Sequence, residues 1–519
     1  MPIHPRRTLR RSCHLSSLAI LLCASGSLIA GGQDAARQEA PQTARQQARP
    51  TSGPDTFGRL FQLPVFAPPT PDVRVALMEL GRRGGLMDAN DDLTAGPLAL
   101  IVDPALSINN PDSLTHTAGV TFMGQFLDHD MTFDRASRLG QPSEPRAVAN
   151  ARRPVFDLDS VYGNGPAGSP ELYEPADPVK FRVETGGRFE DLPRDATRTA
   201  IIGDPRNDEN LIIAGLHAAF LLFHNRAVDL VRAEQPSWSP EKVFAEARRL
   251  TTWHYQWLIV HEILPAFVGA AVTDDVLTNG RRYYVTDIPY IPIEFQIVYR
   301  FGHSMVRPSY RANFTGIDGG PFFAMVFEGT PPGPHEPGDL RGGVRSERRF
   351  IGWQTFFSFP GFETDMRRNK RIDTRLSTPL FDLPLGVIVG GEPPVSLAQR
   401  NLLRHLTWRV PSGQAIAQAM GLPVLTETDL SELLAVDPRF TRSTPLWYYV
   451  LREAEVFQQG NHLGPVGGRI LAEVFIGLLQ LDPDSYLRQD PGFIPSIGGA
   501  GRSFAMIDFL TFAGVAGRR

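Results

Sequence analysis

The chain has 519 residues and a mass of 57.3 kDa, and its 42% hydrophobic and 21% charged residues provide for a sizeable core and exclude disorder throughout. Basic and acidic side chains nearly balance, 52 against 56 for a net charge of −4, which argues against a protein built to coat nucleic acid. Cys13 and Cys23 are the only cysteines, so removal of the N-terminal segment would leave no disulfide, thiolate metal site, iron–sulfur cluster or cysteine nucleophile.

At the N-terminus, Arg6, Arg7, Arg10 and Arg11 precede an apolar run from Leu15 to Ile29, and Ala30-Gly31-Gly32 supplies small residues for cleavage. Residues 1–32 therefore read as a signal peptide, with Arg6-Arg7-Thr8-Leu9-Arg10 loosely like a twin-arginine motif. The run is short for a membrane span, and no other apolar stretch of spanning length is expected. The mature chain is accordingly expected to be soluble, and secreted or periplasmic. Residues 33–53, rich in Gln, Ala, Arg and Pro, read as a disordered leader.

From 54 to 519 helical patterns alternate with Gly- and Pro-rich loops, Gly329 to Pro337 being the clearest, and strand-like runs such as Tyr283-Tyr284-Val285 are few. With no internal repeat and no linker, this predicts one large, mainly α domain with long loops and little β. Loops of that length suggest a prosthetic group held between them.

Four segments carry chemistry. Ala118, Phe122, Gln125 and His129 recur at helical spacing, so Gln125 and His129 share a face, with Asp128 beside it and Asp130 pointing away. A capped helix end with solvated acids is the alternative reading. Asp157 and Asp159 alternate in a short loop and could offer hard oxygens to calcium; an acidic turn would look the same. Arg206-Asn207-Asp208-Glu209 leads into an apolar helix through Leu216, Phe220 and Phe223, which Asn207 or Asp208 could cap. Phe295, Tyr299, Gly302 and Val306 put His303 near an apolar helical face, where Gly302 would admit something flat. Ser396 and Gln399 predict a capping box opening a helix that carries Asn401 and Arg404.

In this order the segments resemble the animal-type haem peroxidases of the peroxidase–cyclooxygenase superfamily, from about Phe57 to near the C-terminus. The resemblance implies a single helical haem-peroxidase domain binding haem b and calcium. By it His129 is the distal histidine that moves a proton on hydrogen peroxide, Gln125 the distal glutamine and Arg206 the distal arginine. His303 is the proximal iron ligand, Asn401 accepts its ring N–H, and Arg404 pairs with a haem propionate. Asp130, Asp157 and Asp159, with backbone carbonyls around Arg153 and Val155, are the calcium ligands. Asp128 and Glu209 match the carboxylates that become ester-linked to haem. Asn210 stands where chloride-oxidising relatives carry a methionine, so bromide, iodide, thiocyanate or phenolic donors are expected rather than chloride. The continuation Arg400-Asn401-Leu402-Leu403-Arg404-His405 departs from the more charged animal pattern, and with the missing cysteines it fits a bacterial branch.

Two other functions compete. Fatty-acid dioxygenases of the superfamily carry a radical-forming tyrosine three residues before the proximal histidine, where this chain has Arg300; Tyr299 is expected to point elsewhere. A non-catalytic secreted haem-binding protein would be expected to have lost Gln125, His129 or Arg206. A zinc site at His254, His261 and Glu262 fails on spacing, and these read as ordinary helix residues.

Overall fold

The longest of the described helices, Leu211–Glu234, is buried without a break from Leu211 to Leu221 and meets solvent toward its C-terminal end. The computed structural model describes residues 55–185, 189–315, 319–329, 337–343, 347–388, 390–499 and 501–517. The expected signal peptide, the leader and most of the Gly329–Pro337 loop lie outside these. About 49% of the chain is helical and 9% strand, the mainly α architecture expected from the sequence.

In chain order the principal helices are α1 (Pro71–Leu80), α2 (Gly96–Val102), α3 (Ala118–Met131), α4 (Leu211–Glu234), α5 (Pro240–Leu258), α6 (Leu264–Val268), α7 (Ala270–Asn279), α8 (Ile293–Val298), α9 (Leu397–Trp408), α10 (Gly413–Met420), α11 (Leu446–Gln458), α12 (Pro465–Leu481) and α13 (Met506–Ala513). Helix α4 packs against α3, α5 and α13, and α12 against α6, α7, α8 and α11, so two bundles share one continuous apolar core. Strands among the described residues form only two-stranded ribbons. The one that positions the site pairs β1 (Asp112–Thr117) antiparallel with β2 (Arg368–Lys370), with Arg368 opposite Thr117.

That ribbon delivers the chain into α3. Thr117 makes no side-chain cap, and the orphan N–H groups of Ala118 and Gly119 donate instead to the carbonyls of Arg367 and Phe356, both at 2.9 Å. Helix α4 starts differently from expectation: its cap is Asn210, whose side chain accepts from Ile212 and Ile213, because Pro205–Asp208 winds into a 3₁₀ turn first. The capping box of α9 is half made. Ser396 accepts from Gln399 N–H, but the Gln399 side chain donates to the Met78 carbonyl of α1.

Tyr283-Tyr284-Val285 is not a strand. The Glu473 carboxylate of α12 takes the N–H groups of Tyr283 and Tyr284 that a ladder would have needed. Contrary to expectation, α4 is long and apolar enough to cross a membrane, but 83% of its most apolar window is buried within the fold. His254 and His261 do not converge: His254 is buried between Leu250 O and Ile497 N–H, and His261 stacks on Trp257 at 3.7 Å.

Candidate active site

Helix α3, the 3₁₀ turn Tyr299–Met305 that continues α8, and the start of α4 enclose a cavity with about 1130 Å³ of empty space, its opening to solvent included. Phe122, Phe267, Phe301, Val306, Leu380 and Leu383 supply apolar walls, and its polar groups include Gln125, Asp128, Glu209, Asn210, Tyr299, Arg300 and His303. A Cβ built on Gly302 would meet nothing within 4 Å, so this glycine leaves open space on the wall beside His303.

From α3 the cavity takes Gln125 and Asp128, not the pair Gln125 and His129 that helical spacing put on one face. Asp130 is fully buried on the opposite side. His129 lies just behind the wall, 3% exposed, with Nε2 3.7 Å from the Glu209 carboxylate that lines it. Burial, and then the positive charge of Arg206, hold the His129 imidazole down at about 3, so it is neutral. Glu209 is pushed up to about 8 by burial and by the neighbouring acids Asp128 and Asp204, against the pull of Arg206; its side-chain amide partner is Gln125. Asp128 is raised by burial as well.

Arg206 does not reach the cavity wall. Its guanidinium is bidentate on the fully buried Asp204 at 3.0 and 2.8 Å, donates to the His129 carbonyl at 3.1 Å, lies 3.9 Å over the Phe133 ring, and stands 3.8 Å from Asp128. Burial alone would raise Asp204, but Arg206 and Arg152 carry it well below the usual carboxylate range. This cluster ties the end of α3 to the turn before α4.

On the His303 side, Asn401 meets His303 Nδ1 at 2.7 Å through its amide nitrogen. Amide nitrogen and oxygen are interchangeable by a flip, and the flipped amide would accept the ring N–H as expected of an iron ligand. Burial, then Arg300, lower the His303 imidazole to about 3. Arg404 is at some distance from this role: it binds Asp134 at 2.7 Å and Ser137 at 2.6 Å and is not part of the cavity wall. Arg300 is there instead. Its Nε is buried without a hydrogen-bond partner, and desolvation, then Arg404, bring the guanidinium down to about 10. Tyr299 also lines the cavity rather than pointing elsewhere, its hydroxyl donating to Gly124 O at 2.8 Å.

The acidic loop closes on the far side of α3. Carboxylate oxygens of Asp130, Asp157 and Asp159 lie within 4.8 Å of one another. Asp157 Oδ2 and Asp159 Oδ1 are buried and accept no hydrogen bond, and each faces an arginine, Arg153 on Asp157 and Arg152 at 3.6 Å from Asp159; the three converging carboxylates are the hard-oxygen donor set a calcium ion takes. Leu158 between them adopts φ 59°, a left-handed conformation costly for a branched residue, and so directs its N–H to Asp130 at 3.1 Å. Arg153 pairs with Asp157, and its carbonyl accepts Val155 N–H at 2.8 Å. Asp130 is pushed up to about 7 by burial and by Asp159.

Three residues of this constellation entered the sequence reading only in other roles: Asn207 as a helix-cap candidate, and Arg300 and Tyr299 in the comparison with dioxygenases. Asn210 was visible in sequence only as a point of comparison. Its Nδ2 donates to Gln125 Oε1 at 3.2 Å while its Oδ1 caps α4, so one amide orients both.

The helical enclosure sets the His303 imidazole on one element against Gln125 and Asp128 on another, with His129 behind them. A structure of similar fold is a point variant of fatty acid alpha-dioxygenase from Oryza sativa with palmitic acid (TM-score 0.53, 14% identity, covering 82% of this chain and 78% of that one). Residues 122–318 match the family model described as animal haem peroxidase. Among curated relatives, eosinophil peroxidase of Homo sapiens is 31% identical over 181 residues (31% of this chain, 25% of that protein). Myeloperoxidase of Mus musculus is 29% identical over 181 residues (31% and 25%). The match thus spans about a quarter of these relatives' length. The stretch that resembles an animal haem peroxidase domain is thus residues 122–318. Every expected site residue from Gln125 to His303 falls inside the matched stretch, and Asn401 and Arg404 fall outside it.

Proposed function

We propose that this chain is an exported haem peroxidase, periplasmic or secreted, which reduces hydrogen peroxide and oxidises bromide, iodide, thiocyanate or a phenolic donor. The observation that carries the reading is one cavity bearing His303, backed by Asn401, together with Gln125, Asp128 and Glu209 in front of a neutral His129. The donor set fits haem: open space over Gly302, an imidazole at His303, and the unpartnered Arg300 Nε toward an anionic edge. Bound haem b would supply the iron at which peroxide is reduced.

The chain's own residues do the rest. His303 would hold the iron, with Asn401 fixing its ring once the amide is flipped. His129 Nε2, neutral and facing Glu209, accepts a proton from peroxide and returns it to the departing oxygen. Gln125, held by Asn210 and Glu209, orients water or a small donor in the cavity. Arg206 keeps a fixed positive charge beside Asp128 and locks the carbonyl of His129. Asp128 and Glu209 both reach the cavity, which supports ester links to the haem; free haem b in an acid–acetone extract would count against them. Calcium at Asp130, Asp157 and Asp159 would brace the residue next to His129.

The test is bromination of a phenol dye by the haem-loaded protein on adding hydrogen peroxide and bromide. Turnover is expected, and His129→Ala should slow the reaction with peroxide by about 10²–10⁴-fold with haem retained. An unchanged rate in that variant would overturn the assignment. A second reading, fatty-acid dioxygenation, is favoured by one observation, the presence of Tyr299 on the cavity wall. Oxygen uptake on linoleate without peroxide would select it.

A further inference from the structure

Behind the cavity, the carboxamide of Asn207 lies between two imidazoles. Its Oδ1 is 2.9 Å from His129 Nδ1, and its Nδ2 is 3.0 Å from His217 Nδ1. Asn207 comes from the 3₁₀ turn Pro205–Asp208 and His217 from the second turn of α4, so the bridge links the end of α3 to both. All three side chains are sealed from solvent: Asn207 is 0% exposed, His217 1% and His129 3%.

We propose that Asn207 sets the tautomer of His129, forcing its proton onto Nδ1 so that Nε2 is left as the acceptor facing the cavity. A neutral imidazole has one N–H and one lone pair. The amide has an oxygen at one end and N–H groups at the other, so the two histidines it joins must take opposite tautomers. His129, facing the oxygen, carries its proton on Nδ1; His217, facing the N–H, carries its proton on Nε2. Between two neutral rings joined by one amide, the tautomer is the variable. Without the bridge, a neutral His129 could place its proton on Nε2, where it would have nothing with which to accept from peroxide. Asn207 is therefore a positioning residue that acts through His129, and this rests on the peroxidase reading only for its catalytic consequence.

The test compares Asn207→Leu, similar in shape but unable to hydrogen-bond, with Asn207→Asp, which keeps an acceptor on Nδ1. In ¹⁵N-histidine-labelled, haem-free protein, with signals assigned by loss in His129→Gln and His217→Gln, imidazole ¹⁵N shifts should show His129 protonated on Nδ1 and His217 on Nε2. On the haem-loaded chain, association of hydrogen cyanide with the ferric form needs a proton acceptor, whereas carbon monoxide binding to the ferrous form does not. Asn207→Leu should slow cyanide association by about 10²-fold or more, leave carbon monoxide association unchanged, and mix the His129 tautomers; Asn207→Asp should restore both. Equal slowing of both ligands would reduce Asn207 to a structural role and overturn the proposal. So would a His129 found protonated on Nε2, since that means that the amide runs the other way. Expected shifts and cyanide rates in a parent protein that fails to react with peroxide would leave the tautomer assignment standing and sink the peroxidase reading alone.

Discussion

Withdrawing calcium from the acidic loop should destabilise the protein in a way that grows with pH. The carboxylate oxygens of Asp130, Asp157 and Asp159 lie within 4.8 Å of one another, and at an effective dielectric near 20 each fully charged pair repels by roughly 3–4 kcal/mol. Without a cation the fold answers by keeping a proton: burial, then Asp159, push Asp130 up to about 7 from 3.8. A folded value above the unfolded one means that the folded state binds the proton more tightly. The stabilisation is therefore complete below about pH 4 and lost as pH rises through about 7, an effect on the order of 4 kcal/mol. Calcium takes the proton's place and should abolish that loss. Ligand at about a hundred times its dissociation constant adds roughly 2.7 kcal/mol, and with an unfolding entropy of about 1 kcal/mol/K for a domain of this size that is a midpoint shift of about 3 °C. The assay is thermal unfolding in calcium and in chelator, at about pH 4.5 and about pH 7.5. A clear gap is expected at the higher pH and little at the lower. No gap at the higher pH, or a gap of the same size at both, would refute the cation reading of this loop.

Three further outcomes are expected. Arg300→Met removes a buried guanidinium whose Nε is unpartnered, so the haem-free protein should gain about 1–4 kcal/mol by denaturant unfolding while haem dissociates faster; slower dissociation would contradict a role toward the anionic edge. Tyr299→Phe loses the 2.8 Å bond to Gly124 O and should cost about 1 kcal/mol with bromide turnover retained; loss of turnover would instead implicate the phenol in chemistry. Asn210→Ala strips the cap of α4 and the support of Gln125, costing about 0.5–2 kcal/mol by chemical unfolding together with a fall in peroxide reactivity; a stability loss with unchanged reactivity would show that Gln125 does not depend on it.

Much of the site was legible because helical periodicity acts locally. The face shared by Gln125 and His129, and the opposed direction of Asp130, follow from spacing within α3 alone. Arg300 was harder to read because residues 299–305 wind as a 3₁₀ turn. In that geometry residues three apart eclipse, and Arg300 and His303 both line the cavity. Arg404 shows the converse. Its position on α9 follows from sequence, but its ion partner, Asp134, is 270 residues away, and local pattern holds no information about such a choice.

The sequence by itself determined the helical class, the order of the chemical groups and which of them share a helix face, since these depend on neighbours within a turn or two. Tertiary structure alone decided which groups stand together: Asn207 between His129 and His217, Arg300 rather than Arg404 on the cavity wall, and three aspartates around one point. It also decided their proton states. Burial is the leading cause at His129, Glu209 and Asp130, and burial is a property of everything packed around a group, which no local stretch of sequence contains.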